Sequence, residues 1–211
     1  MLKRTYYKLL ATFLNASTRL YEMPGRGFDA WHGVETCGQV AVVDLEIPEE
    51  ARPQAGHYQP TKLAVFHRVI NRLPIADRGM FAFVDFGCGK GRCLLLAARA
   101  GFRSVIGVEL ADPLCVVARS NADRFMKGRF ADRISIQCSH STDAELPGGP
   151  TVFYFYNPFG EEAMLSTMRA IRNHLDRTGK EAYAVYVNTM HNEIIAEGGF
   201  RPIESGYSRN E

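Results

Sequence analysis

The pattern of apolar and polar positions changes character at about residue 80. Beyond it, short runs rich in apolar residues (81–86, 104–109, 151–156 and 182–187), and a shorter one in which Ile134 and Ile136 are interleaved with polar residues (134–138), alternate with longer segments of helical period. Continuous apolar runs of this length, rich in Val, Ile, Phe and Tyr, predict strands covered on both faces. Helices are expected over 92–100, from 112 to about 128, and over 161–176, closing at Gly101, Gly128 and Gly179. In the second of these the buried stripe is Leu114, Val117, Ala118, Ala122 and Phe125, and Pro113 suits the first turn. Strands alternating with helices predict an α/β fold, a doubly wound and mostly parallel sheet with helices on both faces.

Residues 1–80 read as a helical and irregular N-terminal extension, a lid rather than an independent domain, ahead of a main domain at 81–211. Residues 2 to about 21 fit an amphipathic helix, and Met23-Pro24-Gly25-Arg26-Gly27 fits a breaker after it. Trp31 and His32 are expected to cover a core edge rather than line a pocket. Residues 40–45 suggest a short strand and 48–56 a polar loop. Residues 62–73 carry apolar side chains at 63, 65, 66, 69, 70 and 73, a helix period, with Thr61 at its N-cap or first turn. Near the other end, 191–197 suggests a short helix and 200–204 a terminal strand.

Composition narrows the field modestly. The chain has 211 residues and a net charge of +2, which argues against a general polyanion binder and leaves no clear nucleic-acid signal. No apolar stretch reaches the ~18 residues of a membrane span. The first ten residues look superficially like a signal peptide, but Lys8 interrupts them. The cysteines Cys37, Cys88, Cys93, Cys115 and Cys138 match no zinc spacing. Reduced thiols in a cytoplasmic protein, with no metal site, are therefore expected.

Candidate chemistry concentrates at the ends of the apolar runs. The first leads into Asp85-Phe86-Gly87-Cys88-Gly89-Lys90-Gly91-Arg92. Glycines at alternate positions let the backbone turn tightly and lie against a ligand where a Cβ would clash. Cys88, inside that turn, reads as a small side chain rather than a nucleophile. The spacing is Gly-x-Gly-x-Gly, whereas dinucleotide binders use Gly-x-Gly-x-x-Gly. Asp85 before the turn would repel a pyrophosphate and would suit a ligand with cationic groups. Glu109, followed by Leu110, ends the second run, where an acid can accept two hydrogen bonds from ribose hydroxyls. The fourth run ends in Asn157-Pro158-Phe159-Gly160. There the Asn157 amide oxygen and a carbonyl beside Pro158 can accept N–H bonds from an amine, and Phe159 can pack on a planar group or a methylene chain. Asn and Pro are also ordinary turn formers.

Together these residues resemble the class I S-adenosylmethionine-dependent methyltransferases, over roughly residues 81–188. The resemblance implies a Rossmann-like sheet and S-adenosyl-L-methionine as cofactor. Asp85, Gly87, Cys88, Gly89 and Gly91 would then surround its amino-acid and sulfonium end, and Glu109 with Leu110 its ribose. Tyr58-Gln59-Pro60-Thr61 is similar to the segment before the cofactor strand in some non-SET lysine methyltransferases, which implies that Tyr58 and Thr61 close over the methionine part. A helix cap with a packed tyrosine is the alternative. Members of the family often hold adenine with an acid after the third strand. Here Asp143 is the nearest acid, a few residues late, with His140 in the usual place.

The tip Asn157-Pro158-Phe159 resembles the Asn/Asp-Pro-Pro-aromatic motif of amino-group methyltransferases, with one proline where that motif has two. It implies that these residues receive an amine, from a protein lysine or a small molecule. A lysine would have to lose its proton first, with Tyr58, Tyr154 or Tyr156 as candidate helpers. Methyl transfer needs positioning and desolvation more than strong acid or base, in keeping with the lack of a Ser/His/Asp constellation. The seven-stranded fold ends in an antiparallel pair, of which one strand is evident here, so the last is missing or supplied by 40–45. A nicotinamide-dependent oxidoreductase and a non-catalytic cofactor-binding module are the alternatives on the same architecture.

Overall fold

The computed structural model describes residues 23–188, 190 and 192–201. The expected helix at 2–21 and most of the expected strand at 200–204 lie outside the described residues. Five strands form one parallel sheet: β1 (Ala82–Phe86), β2 (Ser104–Glu109), β3 (Ile134–Cys138), β4 (Thr151–Tyr156) and β5 (Ala182–Val187), in the order β3-β2-β1-β4-β5. The chain begins in the middle, winds outward through β2 and β3, then returns to the other side of β1 for β4. That reversal leaves a crevice beyond the carboxyl ends of β1 and β4.

The helices are α1 (residues 23–32 of those described), α2 (Leu63–Ile70), α3 (Arg92–Arg99), α4 (Asp112–Arg124) and α5 (Glu161–Thr178). Alternate residues of the strands feed two cores. Phe83, Val105, Val152, Tyr154 and Val185 meet α3 and Phe66 and Ile70 of α2 on one face. Val84, Phe86, Phe153 and Phe155 meet Met164, Met168 and Ile171 of α5 on the other. β1 and β4 are buried at almost every position, which is why their runs are apolar throughout. No helix among the described residues is long and apolar enough to cross a membrane.

The N-terminal region departs most from expectation. The Met23–Gly27 stretch is helical rather than a breaker. Gly25 is there for close approach, since a Cβ on it would meet Arg92 Nη2 at 2.9 Å. Trp31 is 85% exposed and covers no core edge, whereas His32 packs between Phe28 and Phe125. Residues 40–45 do not form a strand or complete the sheet. Val40 bridges only Tyr58, and Val42–Asp44 is a turn of 3-10 helix. Thr61 does not cap α2, whose N-cap is Lys62. Past α4, Met126 and Lys127 take left-handed backbone angles, so that helix stops short of Gly128. Residues 200–201 are not in a strand.

Not all thiols are free. Cys115 and Cys138 form a disulfide, while Cys37, Cys88 and Cys93 remain unpaired. The register aligns Cys138 with Glu109, and the first turn of α4 folds back over that tip. The two Cα atoms come within 6.2 Å, inside bridging range.

Candidate functional site

A cavity of about 360 Å³ opens beyond the carboxyl ends of the strands. Its floor is Asp85, Gly87 and Cys88 at the end of β1, Glu109 and Leu110 at the end of β2, Ser139 to Thr142 after β3, and Asn157, Pro158 and Phe159 after β4. Its roof is the strap 45–61, which contributes Tyr58 and Thr61. Most sequence-predicted residues therefore line one space of the size of a single small-ligand site. Asp143 does not. It is exposed, accepts a bond from its neighbour Thr142, and is absent from the cavity wall, whereas Ser139, His140, Ser141 and Thr142 contribute to it.

The glycine turn packs against the protein itself, and of its three glycines Gly87 also lines the cavity. The space over Gly87 and Gly89 is filled by protein rather than left open. A Cβ on Gly87 would meet Pro158 Cβ at 2.5 Å, and one on Gly89 would fall on the Tyr58 ring. Gly91, at φ 83°, starts α3 and lets Ala118 of α4 approach, so neither it nor Gly89 lines the cavity. These three glycines have positive φ, which suits them to the turn in any case.

Glu109 is pinned by the backbone. Its Oε2 accepts from Gly89 N, and its Oε1 accepts from Leu110 N and Ala111 N, each at 2.9 Å. A carboxylate offers about four acceptor sites, so one is left for a ribose hydroxyl unless a backbone bond is released. Burial raises the Glu109 carboxyl above its usual range, and the three N–H bonds oppose that. Burial raises Asp85 much further, and the charge of Glu109 adds to it. Cys88 is likewise held as a thiol, chiefly by burial, which removes it as a nucleophile.

The β4 tip is also occupied by the protein itself. Asn157 sits in left-handed backbone geometry at φ 43°, and its Oδ1 accepts from Tyr186 Oη at 3.2 Å. The Pro158 carbonyl accepts from Gly56 N at 3.3 Å, Gly160 N donates to the Gln54 carbonyl at 2.8 Å, and Ala55 bridges Phe159. The two acceptors expected to greet an amine are thus already partly used. Tyr58 donates to the Thr36 carbonyl at 2.7 Å and Tyr154 to Thr61 Oγ1 at 3.4 Å. Burial lifts both phenols well above their ordinary range, so neither suits the removal of a proton from an amine.

Arg92 escaped the sequence reading. It is 5% exposed, lines the cavity, and donates from Nε to Thr36 Oγ1, from Nη1 to the Thr61 carbonyl and from Nη2 to Cys37 Sγ. A single charged residue heading the otherwise apolar run Arg92-Cys93-Leu94-Leu95-Leu96-Ala97-Ala98 was the available signal. Glu50, Gln54 and Glu162 at the cavity wall carried no sequence signal of that kind.

No family model matches the chain, and no curated protein is similar to it. Solved structures are. The ribosomal protein L11 methylase from Lactobacillus delbrueckii subsp. bulgaricus is 17% identical and superposes with a TM-score of 0.50, over 69% of this chain and 72% of that one. A geranyl diphosphate C-methyltransferase from Streptomyces coelicolor A3(2), solved with S-adenosyl-L-homocysteine, is 20% identical over 52% of this chain, with a TM-score of 0.40. This chain spans 39% of the length of that protein. An RNA methyltransferase from Salinibacter ruber, also with S-adenosyl-L-homocysteine, is 22% identical over 57% of this chain and 71% of that one, with a TM-score of 0.38. The likeness to the L11 methylase is one of fold: the chain has the Rossmann-like α/β architecture found in class I methyltransferases.

Proposed function

We propose that the chain is an S-adenosylmethionine-dependent methyltransferase acting on an amine. The observation that carries this reading is the meeting of Asp85, Cys88, Glu109 and Leu110 with Asn157, Pro158 and Phe159 around one cavity at the sheet's switch point. The cofactor, when bound, supplies a methyl group already activated on sulfur. Asp85 offers a carboxyl to its ammonium and sulfonium end. Glu109 accepts from the ribose with the lone pair that its backbone bonds leave. Leu110 and the 139–142 loop flank the adenine, with Ser139 and His140 taking the place expected of Asp143. Tyr58 and Thr61 roof the methionine part.

On the acceptor side, Asn157 Oδ1 is oriented by Tyr186 and can take an amine N–H alongside that bond, since an amide oxygen has two lone pairs. Phe159 flanks the entering chain. Binding here excludes water and aligns the nitrogen lone pair with the methyl, which is the main catalytic requirement of this displacement. Residues 1–80 act as the lid, a reading supported by the contribution of 45–61 to the cavity wall.

One observation favours a small amine over a lysine on a folded protein. The strap is bonded onto the β4 tip at Gly56, Ala55 and Gln54, which narrows the approach. Calorimetric titration with S-adenosylmethionine and S-adenosylhomocysteine tests the cofactor. Saturable binding is expected for both, and Glu109→Ala should lose it while keeping its circular dichroism spectrum. Absence of binding in the wild-type chain sinks the reading. Labelled-methyl screening with mass spectrometry should find N-methylated products, and oxygen-methylated products alone would overturn the amine assignment.

A further inference from the structure

We propose that the Cys115–Cys138 disulfide is a thiol switch on the cavity. Oxidised, it fixes the wall that carries Leu114 and Ser139; reduction by a dithiol loosens that wall and weakens ligand binding. The ligand used in the test rests on the cofactor reading above, whereas the switch rests on where the bridge sits. Cys115 lies in the first turn of α4, and Cys138 is the last residue of β3. Their chain neighbours, Leu114 and Ser139, both line the cavity. Ser139 Oγ is buried with no hydrogen-bond partner among the described residues, as befits a polar group kept for a ligand.

Glu109 stands between the two cysteines. The β2–β3 register sets Cys138 opposite it. Its carbonyl accepts from Ser139 N at 3.1 Å, and Cys115 Sγ lies 3.5 Å from the same oxygen. Its carboxylate accepts from Leu110 N and Ala111 N, which lead into α4. The bridge thus closes a ring around Glu109 and ties the start of α4 to the 139–142 loop. Unbonded sulfur atoms must stand at van der Waals distance, so cleavage moves the two ends apart. Cys115 is fully buried, while Cys138 is exposed at the end of the edge strand. The Cys138 side, with the loop that follows it, is therefore the one with room to move.

The same asymmetry decides how the bridge is reduced. A reductant's thiolate reaches the exposed Cys138 Sγ and forms a mixed disulfide there. The electron pair of the broken S–S bond leaves on Cys115 Sγ, which takes up a proton. The reductant's second thiolate then attacks its own bridged sulfur and releases Cys138. Two electrons and two protons reach the pair, and the dithiol becomes a disulfide. Arg119 Nη2 lies 3.5 Å from Cys138 Sγ and donates to the Ile136 carbonyl at 3.3 Å, so a fixed cation awaits the released thiolate. The carboxylate of Asp112, within 4.8 Å of both sulfurs, opposes that effect.

The test compares the full chain equilibrated with oxidised and with reduced dithiothreitol. Acid quench, alkylation in denaturant and mass spectrometry score the bridge, while circular dichroism follows the fold. The pair should form, and should be reduced with the fold intact. Hydrogen exchange at 139–142 should then quicken. The dissociation constant for S-adenosylhomocysteine, measured by calorimetry, should rise by about 5- to 150-fold, the usual span of coupling between two sites. Cys138→Ser should behave as reduced wild type with or without reductant; a reductant effect that persists in it belongs to another thiol and overturns the proposal. Failure of the pair to form, or reduction only on unfolding as for a structural staple, overturns it too. So does unchanged exchange at 139–142, or unchanged affinity in a chain that binds. Should Cys138→Ser not fold, the two states of wild type decide alone. If wild type binds S-adenosylhomocysteine in neither state, the cofactor reading fails, and the exchange difference at 139–142 decides the switch by itself.

Discussion

The ring of Tyr58 lies so close over Gly89 that a side-chain carbon at position 89 would fall on it. Gly89 also has φ 54°. Gly89→Ala should therefore pay twice, about 1–2 kcal/mol for the left-handed backbone and about 1–3 kcal/mol for overpacking. In a Tyr58→Ala background the second cost should vanish. A urea double-mutant cycle is expected to show that coupling. Simple additivity would mean that the ring and the glycine do not meet as described.

Asp85 makes stability depend on pH. Burial, and then the Glu109 charge, raise its carboxyl well above the usual carboxylate range. For a folded-state value raised above the unfolded one, the stabilising contribution is complete below the unfolded value and is lost as pH rises through the folded one. The folded protein thus favours a neutral Asp85 and loses stability as pH climbs from about 4 toward neutrality. Asp85→Asn, neutral throughout, should be more stable than wild type at pH 7 and little different near pH 4. Equal pH slopes in chemical denaturation would contradict this.

The parts of the fold that were legible in the sequence are those whose signal is local. β2, β3, β4 and β5 begin and end where their runs in the sequence do: β4, buried at almost every position, is apolar along its length, while the edge strand β3 shows instead an alternation of Ile134 and Ile136 with Ser135 and Gln137. Likewise α5 closes at Gly179, which takes the left-handed cap conformation. The illegible parts depend on partners far along the chain. Gly25 looked like a helix breaker, yet it is small for the sake of Arg92. Thr61 looked like a cap, yet its hydroxyl meets Tyr154 and its carbonyl meets Arg92. The glycine turn was read as room for a ligand, and Tyr58 and Pro158 fill part of that room. Asp143 looked like the adenine acid by counting along the chain, but the turn after β3 carries it to the surface.

The Asp29 network ties the N-terminal region to α3. Asp29→Ala would leave Arg92 without its charge partner and free the Thr36 and Cys37 N–H groups inside the protein. Removing one side of a buried charged pair costs about 3–5 kcal/mol. Denaturant unfolding should show a loss of that size, and adding Arg92→Met should restore part of it. An Asp29→Ala protein within about 1 kcal/mol of wild type would show that the network is solvated.

Asn157 separates a turn former from a working amide. Its φ of 43° is comfortable for glycine and costly for alanine. Asn157→Gly should stay within about 1 kcal/mol of wild type, losing the Tyr186 hydrogen bond while relieving the backbone. Asn157→Ala should be about 1–2 kcal/mol less stable than the glycine variant. If the residue were there only to make the turn, the glycine variant would keep its activity. If its amide aims the acceptor nitrogen, both variants should fall by about 100-fold or more, as misplacement of a reacting group by an ångström does. The measurement is transfer of labelled methyl from S-adenosylmethionine to the amines of a heat-treated cell extract. Full activity in Asn157→Gly would remove the amide from the mechanism and leave Phe159 and the strap to position the acceptor.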